Sequence, residues 1–293
     1  MVPDAGEQVD GYTIVKELGR GGSATVYLAR ATDHASGADN VVALKVLGAD
    51  RNSPYELGRL QREFDLARQL DHPHIVAMYD RGPRWLAMQY VDGGNATTLH
   101  TLGNRLAALA QIADALDYTH QKGIVHCDVK PANILVSEDF SAGGAILIDF
   151  GVAHSLAEDA QLRLAEHPLQ AMSTDPAKRI SMRPQDRPTQ VQATLPYASP
   201  ELLLGHRPSG ATDEYALACT AVELITGTVP FAATTAVGLM EAQLHHAPPR
   251  VSQRVSWIPR AFDSILAKAL AKDPELRYET CSEFIRLITR ALR

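Results

Sequence analysis

The segment from Asp128 to Asn133 brings three chemically active side chains close together in the sequence. It contains the carboxylate of Asp128, the ammonium of Lys130 and the amide of Asn133. A further carboxylate, Asp149, follows an apolar run downstream. Protein-bound Mg2+ commonly takes one or two carboxylate ligands together with the phosphates of its substrate. Asn133 and Asp149 are therefore candidate metal ligands, and Asp128 remains available as a base for phosphoryl transfer.

Two short apolar runs must position these side chains. Residues 134–136 directly follow Asn133, and residues 145–148 directly precede Asp149. Short apolar runs of this kind are typical of buried strands. Two strands that each present a polar ligand at one end predict a metal–phosphate site between them.

The whole arrangement resembles the catalytic loop and the magnesium-binding motif of protein kinases. The two matching segments are His126-Cys127-Asp128-Val129-Lys130-Pro131-Ala132-Asn133 and Asp149-Phe150-Gly151. The resemblance covers nearly the whole chain and is greatest for the bacterial Ser/Thr kinases of actinobacteria. It implies phosphoryl transfer from ATP bound with Mg2+, or with Mn2+ as an alternative metal, to protein hydroxyl groups.

The resemblance also implies a role for each residue of the centre. Asp128 would accept the proton of the substrate hydroxyl, and Lys130 would contact the γ-phosphate. Thr194 would bond to both of these residues, and Asn133 and Asp149 would hold the metal. In this family, a lysine at the position of Lys130 also indicates specificity for Ser and Thr.

A lysine–glutamate pair is implied for the remaining phosphates. Lys45 lies in an apolar, β-branched strand predicted at 40–47, where an isolated lysine would otherwise extend to solvent. The capping box of Ser53–Glu56 predicts a helix that runs to about Leu70. By resemblance, Glu63 on this helix pairs with Lys45, although a solvated helix glutamate is the alternative.

A glycine-rich turn joins strands predicted at 12–15 and 25–29. Glycine lets backbone amides approach a phosphate closely, although such a turn alone is often only a hairpin. The turn resembles the kinase loop over the ATP phosphates, with Ala24 where a third glycine is usual. Resemblance also assigns Met88 to the back of the adenine pocket and 89–91 to the hinge. The predicted nucleotide contacts are Leu18, Gly19, Arg20, Gly21, Gly22, Ser23, Ala24, Thr25, Val26, Ala43, Lys45, Met88, Gln89, Tyr90, Val91 and Leu135.

The predicted fold is α+β, the two-lobed protein-kinase fold. A β-rich N-terminal lobe with one main helix, 11–91, follows a flexible tail, 1–10. A mostly helical C-terminal lobe, 92–293, includes a long activation segment, 149–201. The single kinase domain is expected at about 12–290. A short helix is predicted around Leu156–Glu166.

Three polar residues of the predicted helical lobe have structural interpretations. Asp213 lies at the start of a very apolar helix, where it could cap the helix, accept backbone N–H groups of the catalytic loop, or do both. By resemblance, Arg277 forms a buried ion pair with Glu201. A helix predicted from about Leu102 to Gln121 precedes the catalytic loop, with Gly123 as its C-cap.

Composition excludes several classes of partner. The formal net charge is −6 and no long basic run occurs, which argues against nucleic acid and anionic membranes as partners. The sequence contains no run of about 18 apolar residues, the length that would suggest a membrane segment. Three widely spaced cysteines favour a reducing compartment. The expected location is the cytoplasm, either for a stand-alone kinase or for the cytoplasmic domain of a membrane-anchored one. A homodimer for trans-autophosphorylation is a further expectation.

Two other functions stay open at this point. A pseudokinase scaffold that binds nucleotide is one, because Cys127 and Ala24 depart from the family pattern. A small-molecule phosphotransferase of the aminoglycoside-kinase type is the other, since it shares the spacing from His126 through Asp128 to Asn133. Those enzymes usually lack a counterpart of the Asp149-Phe150-Gly151 motif and of the segment 194–201.

Cys127 stands where most of the family has an arginine that pairs with a phosphate on the activation loop. A thiol is a weak donor and cannot form such a charge-assisted pair. We therefore predict that activity depends little on phosphorylation of the loop hydroxyls. The rival hypothesis makes Cys127 a redox switch. The loop hydroxyls concerned are Ser173, Thr174, Ser181 and Thr189.

Overall fold

A computed structural model of the chain describes residues 5–21, 24–32, 41–48, 53–151, 153–155 and 194–293. The first part is rich in strands and the second is mostly helical, which confirms the predicted α+β, two-lobed fold. The strands are β1 Gln8–Val9, β2 Tyr12–Arg20, β3 Ala24–Ala31, β4 Val41–Leu47, β5 Met78–Arg81, β6 Trp85–Gln89, β7 Ile124–Val125, β8 Ile134–Val136, β9 Ala145–Leu147 and β10 His154–Ser155. The helices are α1 Pro54–Ala67, α2 Leu102–Gln121, α3 Phe140–Gly143, α4 Pro200–Leu203, α5 Gly210–Thr226, α6 Ala236–His245, α7 Arg260–Ala269 and α8 Cys281–Leu292.

A six-stranded antiparallel sheet forms the first lobe, in the order β1-β2-β3-β4-β6-β5. The prediction of a loose tail at 1–10 is wrong for the last residues of that range, because β1 pairs with the start of β2. Asp10 also accepts a 2.7 Å hydrogen bond from the indole of Trp85. Strands β2 and β3 extend further into the glycine-rich turn than predicted. Their ladder continues to the pairing of Arg20 with Thr25.

Helix α1 packs against this sheet through an apolar face. Leu60 and Phe64 of the helix belong to a buried cluster with residues of the sheet, whereas Leu66 and Ala67 are buried in the core of the helical lobe. Ser53 caps the helix by accepting the N–H of Glu56, as the capping box predicts. The same face buries the charged side chain of Glu63, which therefore requires a partner inside the lobe.

The helical lobe is built around α2 and α5. Helix α2 covers Leu102–Gln121, as predicted, and Gly123 follows it with a φ of 73°. Helix α5 is buried along most of its length, as expected for a helix that is apolar all round. It begins at Gly210, earlier than predicted, because the cap is formed by Ser209 and Thr212. Asp213 is therefore not the N-cap of this helix.

Strands β8 and β9 form an antiparallel pair that carries the residues of interest. Ile134 pairs with Leu147, so Asn133 and the segment after β9 lie at the same end of the ribbon. The peptide N–H of Ile148 also donates to the carbonyl of Asn133. This register confirms that the two apolar runs bring their polar ends together.

Some expectations lie outside the described residues. These are the short helix at Leu156–Glu166, the loop residues Ser173, Thr174, Ser181 and Thr189, and the turn residues Gly22 and Ser23. Among the described residues, no helix is both long enough and apolar enough to cross a membrane.

Candidate active site

Asp128 lies at the centre of a compact polar cluster. Lys130 Nζ lies 3.0 Å from Asp128 Oδ1 and 2.8 Å from Oδ2. The hydroxyl of Thr194 donates to the same Oδ1 at 3.0 Å and accepts a 3.1 Å hydrogen bond from Lys130. Asn133 Nδ2 donates to Asp128 Oδ2 at 2.9 Å and to its backbone oxygen at 2.8 Å. Lys130, Thr194 and Asn133, three of the predicted site residues, therefore all contact Asp128.

Asp213 on α5 anchors the backbone of the catalytic loop, residues 126–133. Its carboxylate accepts the backbone N–H groups of His126 at 2.8 Å and Cys127 at 2.7 Å. The structure thus supports the loop-binding interpretation of this residue. His120 at the end of α2 adds a third contact, from Nε2 to Asp213 Oδ2 at 2.8 Å. Burial opposes ionisation of the Asp213 carboxyl, but the charges and hydrogen bonds of His120 and His126 together outweigh it and lower the pKa.

His126 connects the catalytic loop to the segment after β9. Its Nε2 lies 3.0 Å from the carbonyl oxygen of Ile148. Its ring packs edge-on against the ring of Phe150, with 4.8 Å between the two ring centroids. Phe150 is fully buried. Cys127 has a φ of 66°, a left-handed conformation unusual for a residue with a side chain, and the bonds to Asp213 hold it there.

A second charged cluster joins β4, α1 and the segment after β9. Lys45 Nζ lies 2.7 Å from each carboxylate oxygen of Glu63 and 3.3 Å from Asp149 Oδ1. Burial disfavours the ammonium, but the carboxylates of Asp149 and Glu63 outweigh it and raise the pKa of Lys45. Burial also disfavours the Asp149 carboxylate, but the cations of Lys45 and Arg59 lower the pKa of this group. Both Lys45 and Asp149 are therefore charged at neutral pH.

A cluster of apolar side chains lies where the nucleotide base was predicted. Ala43, Met88 and Val91 belong to one buried cluster, against which Val26 and Leu135 pack. Ala43 on β4 is the direct partner of Met88 on β6. The predicted apolar contacts are therefore brought together from both lobes.

The remaining predicted nucleotide contacts that the structure describes lie on β2 and β3, beside the turn between them, and at the end of β6. Leu18 and Arg20 are exposed at the end of β2, where Arg20 forms an ion pair with Glu17. Gly21 closes the turn by donating its N–H to Ala24 at 2.8 Å. Gly19 and Thr25 belong to the same β2–β3 ladder, and Gln89 and Tyr90 lead from β6 to Val91.

The donor set fits a divalent metal with nucleotide phosphates. Asp149 supplies a carboxylate. The amide nitrogen of Asn133 donates to Asp128, so the amide oxygen Oδ1 of Asn133 is the atom left to bind a metal. No hydrogen bond reaches that Oδ1 from the described residues. Lys45 supplies a cation beside Asp149 for phosphate oxygens. The N–H of Val91 has no acceptor in the described part of the chain, so it can donate to a base edge.

Arg277 and Glu201 form the buried ion pair that resemblance implied. Both side chains are about 5% exposed, and the guanidinium binds the two carboxylate oxygens at 2.8 and 2.9 Å. Thr212 donates a further hydrogen bond to Glu201. Burial would raise the pKa of Glu201, but Arg277 lowers it below the ordinary value. The pair connects the segment after Thr194 to the base of the helical lobe.

Sequence reasoning missed two residues of this site. Arg59, one helical turn before Glu63, donates a 2.8 Å hydrogen bond to the carbonyl of Gly151. His120 contacts Asp213, as described above. The spacing of Arg59 and Glu63 places them on one helix face, but spacing alone does not reveal what that face contacts.

Comparisons with known proteins agree on one family. The family profile described as "Protein kinase domain" matches residues 12–286. The crystal structure of the Mycobacterium tuberculosis PknI kinase domain superimposes with a TM-score of 0.68 at 30% identity, covering 99% of this chain and 100% of that one. The crystal structure of a single-residue mutant of the same PknI domain gives a TM-score of 0.69 at 29% identity, with both chains fully covered.

Two mycobacterial proteins give the relationship in sequence. The serine/threonine-protein kinase PknJ of Mycobacterium tuberculosis is 39% identical over 98% of this chain and 46% of its own length. The serine/threonine-protein kinase PknF of the same organism is 36% identical over 98% of this chain and 57% of its own length. The chain thus spans about half the length of the curated relatives it matches.

Proposed function

The chain belongs to the protein kinase domain family, and we propose that it is a Ser/Thr protein kinase. It would transfer the γ-phosphate of Mg2+-bound ATP to Ser and Thr hydroxyls of proteins, including its own. Members of this family use ATP with a divalent metal. One observation carries the proposal. Asp128, Lys130 and Thr194 form one assembled cluster in the helical lobe. Lys45 on β4, Glu63 on α1 and Asp149 after β9 form the other.

Each residue of the proposed centre has a chemical task. Asp128 orients the substrate hydroxyl and accepts its proton as the phosphate bond forms. Lys130 neutralises charge on the transferred group, and Thr194 holds Lys130 and Asp128 in register. The bound Mg2+, or Mn2+ in its place, would neutralise charge on the phosphates.

Positioning accounts for the other residues. Asn133 and Asp149 would hold the metal through oxygen atoms. Lys45, held by Glu63, would contact the α- and β-phosphates. Phosphoryl transfer depends chiefly on such alignment and charge neutralisation, because the protein supplies little covalent chemistry. The buried Lys45–Glu63 pair keeps this arrangement ready before a substrate binds.

We extend the proposal to the nucleotide-binding surface and the domain organisation. The turn from Leu18 to Val26 would cover the phosphates, and residues 89–91 would bind the adenine edge between Ala43, Met88 and Leu135. Residues 11–91 and 92–293 would form the two lobes, with 149–201 as the activation segment. The three cysteines are thiols, in keeping with action in the cytoplasm. A second copy of the chain is the proposed partner in autophosphorylation.

Transfer of radiolabelled phosphate from ATP distinguishes the candidate functions. The chain is incubated with Mg2+, labelled ATP and either a mixture of casein and histone or an aminoglycoside. We expect label on Ser or Thr of the chain and of the added protein. Nucleotide binding without transfer would identify a pseudokinase scaffold, and label on the aminoglycoside alone would identify a small-molecule phosphotransferase.

A further inference from the structure

Helix α1 contacts the rest of the site through two charged side chains on one face. Arg59 and Glu63 are four residues apart and therefore lie one above the other on the helix. Glu63 binds Lys45 on β4 through both carboxylate oxygens at 2.7 Å. Arg59 Nε donates to the carbonyl oxygen of Gly151 at 2.8 Å. The helix is thus fixed at two points, one in the sheet and one beside Asp149.

The surroundings of Gly151 leave little room for a side chain. A Cβ at this position would lie 3.1 Å from Arg59 Nε, 3.1 Å from Asp149 Oδ1 and 3.1 Å from Glu63 Oε2. The Gly151 peptide therefore lies between one guanidinium and two carboxylates. Glycine allows this close approach, and the Arg59 hydrogen bond determines which way the peptide faces.

The backbone N–H of Gly151 helps to hold the conformation of Asp149. Its φ of 68° is left-handed, a strained conformation that persists only where neighbouring groups impose it. Gly151 N–H donates to Asp149 Oδ1 at 3.3 Å, and Lys45 Nζ lies at 3.3 Å from the same oxygen. The carbonyl that Arg59 binds and the N–H that contacts Asp149 lie on opposite sides of the Gly151 Cα. Freeing the carbonyl from Arg59 would therefore loosen the Gly151 backbone, including the N–H that contacts Asp149.

Charge reinforces the geometry of these contacts. The cations of Lys45 and Arg59 balance the carboxylates of Glu63 and Asp149, so the four groups carry no net charge. Without Arg59, two carboxylates would compete for Lys45, which would be drawn away from the place where it meets nucleotide phosphates.

From these contacts we infer that Arg59 is a positioning residue of the proposed kinase reaction. Its hydrogen bond to Gly151 holds Asp149 in the orientation that binds the metal–nucleotide complex. The inference rests on the proposed function for its catalytic consequence. Its effect on metal-dependent nucleotide binding does not require any phosphate transfer.

Four proteins test this inference: the unmodified chain, Arg59→Ala, Arg59→Lys and Arg62→Ala. Arg62 is the control because it is exposed on the same helix and its loss changes the charge equally. The first measurement is equilibrium binding of a fluorescent, non-hydrolysable ATP analogue as Mg2+ is titrated. The second is the separation of kcat from KM for a protein substrate, with melting temperature as the check on folding.

Arg59→Ala should raise the half-saturating Mg2+ concentration by about tenfold or more, as expected for loss of a group that orients a metal ligand. It should lower kcat while leaving KM for the protein substrate within about twofold. Arg59→Lys should recover much of the binding, and Arg62→Ala should match the unmodified chain.

Two results would overturn the inference. One is an Arg59→Ala variant that matches Arg62→Ala in Mg2+-dependent binding. The other is tighter metal binding after Arg59→Ala, which would show that Arg59 acts through its charge alone. A folded, unmodified chain that transfers no phosphate would refute the proposed function, while the binding titration would still decide the role of Arg59. If Arg59→Ala did not fold, Arg59→Lys with reduced Mg2+ affinity would support the inference, and unchanged affinity would count against it.

Discussion

The ammonium of Lys130 donates a 3.1 Å hydrogen bond to the hydroxyl of Thr194, and both groups contact Oδ1 of Asp128. Thr194 is far from the catalytic loop in sequence, so this contact is made only when the segment leading to α4 folds back onto the loop. The position of the proposed base is thus coupled to the position of the last part of the proposed activation segment, 194–201.

This coupling predicts different effects for two substitutions of Thr194. Thr194→Ser keeps the hydroxyl and should retain most of the transfer rate. Thr194→Val keeps the shape but loses both hydrogen bonds, and should lower kcat by roughly 10- to 100-fold through misalignment of the base. Steady-state phosphorylation of an added protein measures the difference. Equal rates for the two variants would show that the hydroxyl contributes nothing to transfer.

Arg277→Ala should destabilise the folded chain. The substitution leaves Glu201 buried without its bidentate partner, which costs roughly 3–5 kcal/mol. Arg286→Ala is the matched control, because Arg286 is exposed on α8. Urea denaturation of both variants gives the free energies of unfolding. The ion pair would have no structural role if Arg277→Ala unfolded at the same urea concentration as the control.

Glu214 should make stability fall as pH rises. Its side chain is buried, its Oε2 has no hydrogen-bond partner in the described residues, and burial raises its pKa to about 8. The unfolded carboxyl ionises near its ordinary pKa of 4.5, so between these values the folded state binds the extra proton. The free energy of unfolding contributed by this group is therefore highest below pH 4.5 and decreases towards pH 8.

Glu214→Gln tests this directly, because an amide does not ionise. The stability of the variant relative to the unmodified chain should increase by roughly 2–4 kcal/mol between pH 5 and pH 8. Glu279→Gln is the control, since Glu279 is exposed. A relative stability that does not change with pH would mean that Glu214 is already ionised in the folded chain at pH 5.

Cys127 leads to a prediction about regulation. Replacing the four loop hydroxyl residues with alanine should change transfer to an added substrate by less than about tenfold, because no arginine at this position can pair with their phosphates. A loss of about a hundredfold or more would refute that independence. Reversible inactivation of the unmodified chain by mild peroxide, with Cys127→Ser resistant, would favour the redox hypothesis. The four residues are Ser173, Thr174, Ser181 and Thr189.

Local patterns in the sequence predicted much of this architecture, and the resemblance assigned most of the site. Helix α2 and the cap at Ser53 follow from local signals, and the Arg277–Glu201 pair follows from resemblance. The misplaced start of α5 has a local cause, because Ser209 and Thr212 form the cap before Asp213 is reached. Asp213 itself binds the catalytic loop, which was one of the two roles expected from the sequence, and the packed structure distinguishes it from the capping role.

Residues whose partners are distant in sequence were the hardest to predict. Arg59 on α1 contacts the carbonyl of Gly151, and a backbone acceptor leaves no signal in the sequence. His120 looks like an ordinary last-turn residue of α2 until α5 brings Asp213 beside it. The pairing of β1 with β2 was missed because two residues make too short a strand to show alternation.

The proposed role of Asp128 as the catalytic base is tested most directly by Asp128→Asn. The measurement is single-turnover transfer from radiolabelled ATP, combined with equilibrium binding of a non-hydrolysable analogue to the same preparation. We expect binding close to that of the unmodified chain and transfer slower by roughly 10²- to 10⁴-fold, the usual contribution of general-base catalysis. Transfer at the rate of the unmodified chain would contradict it.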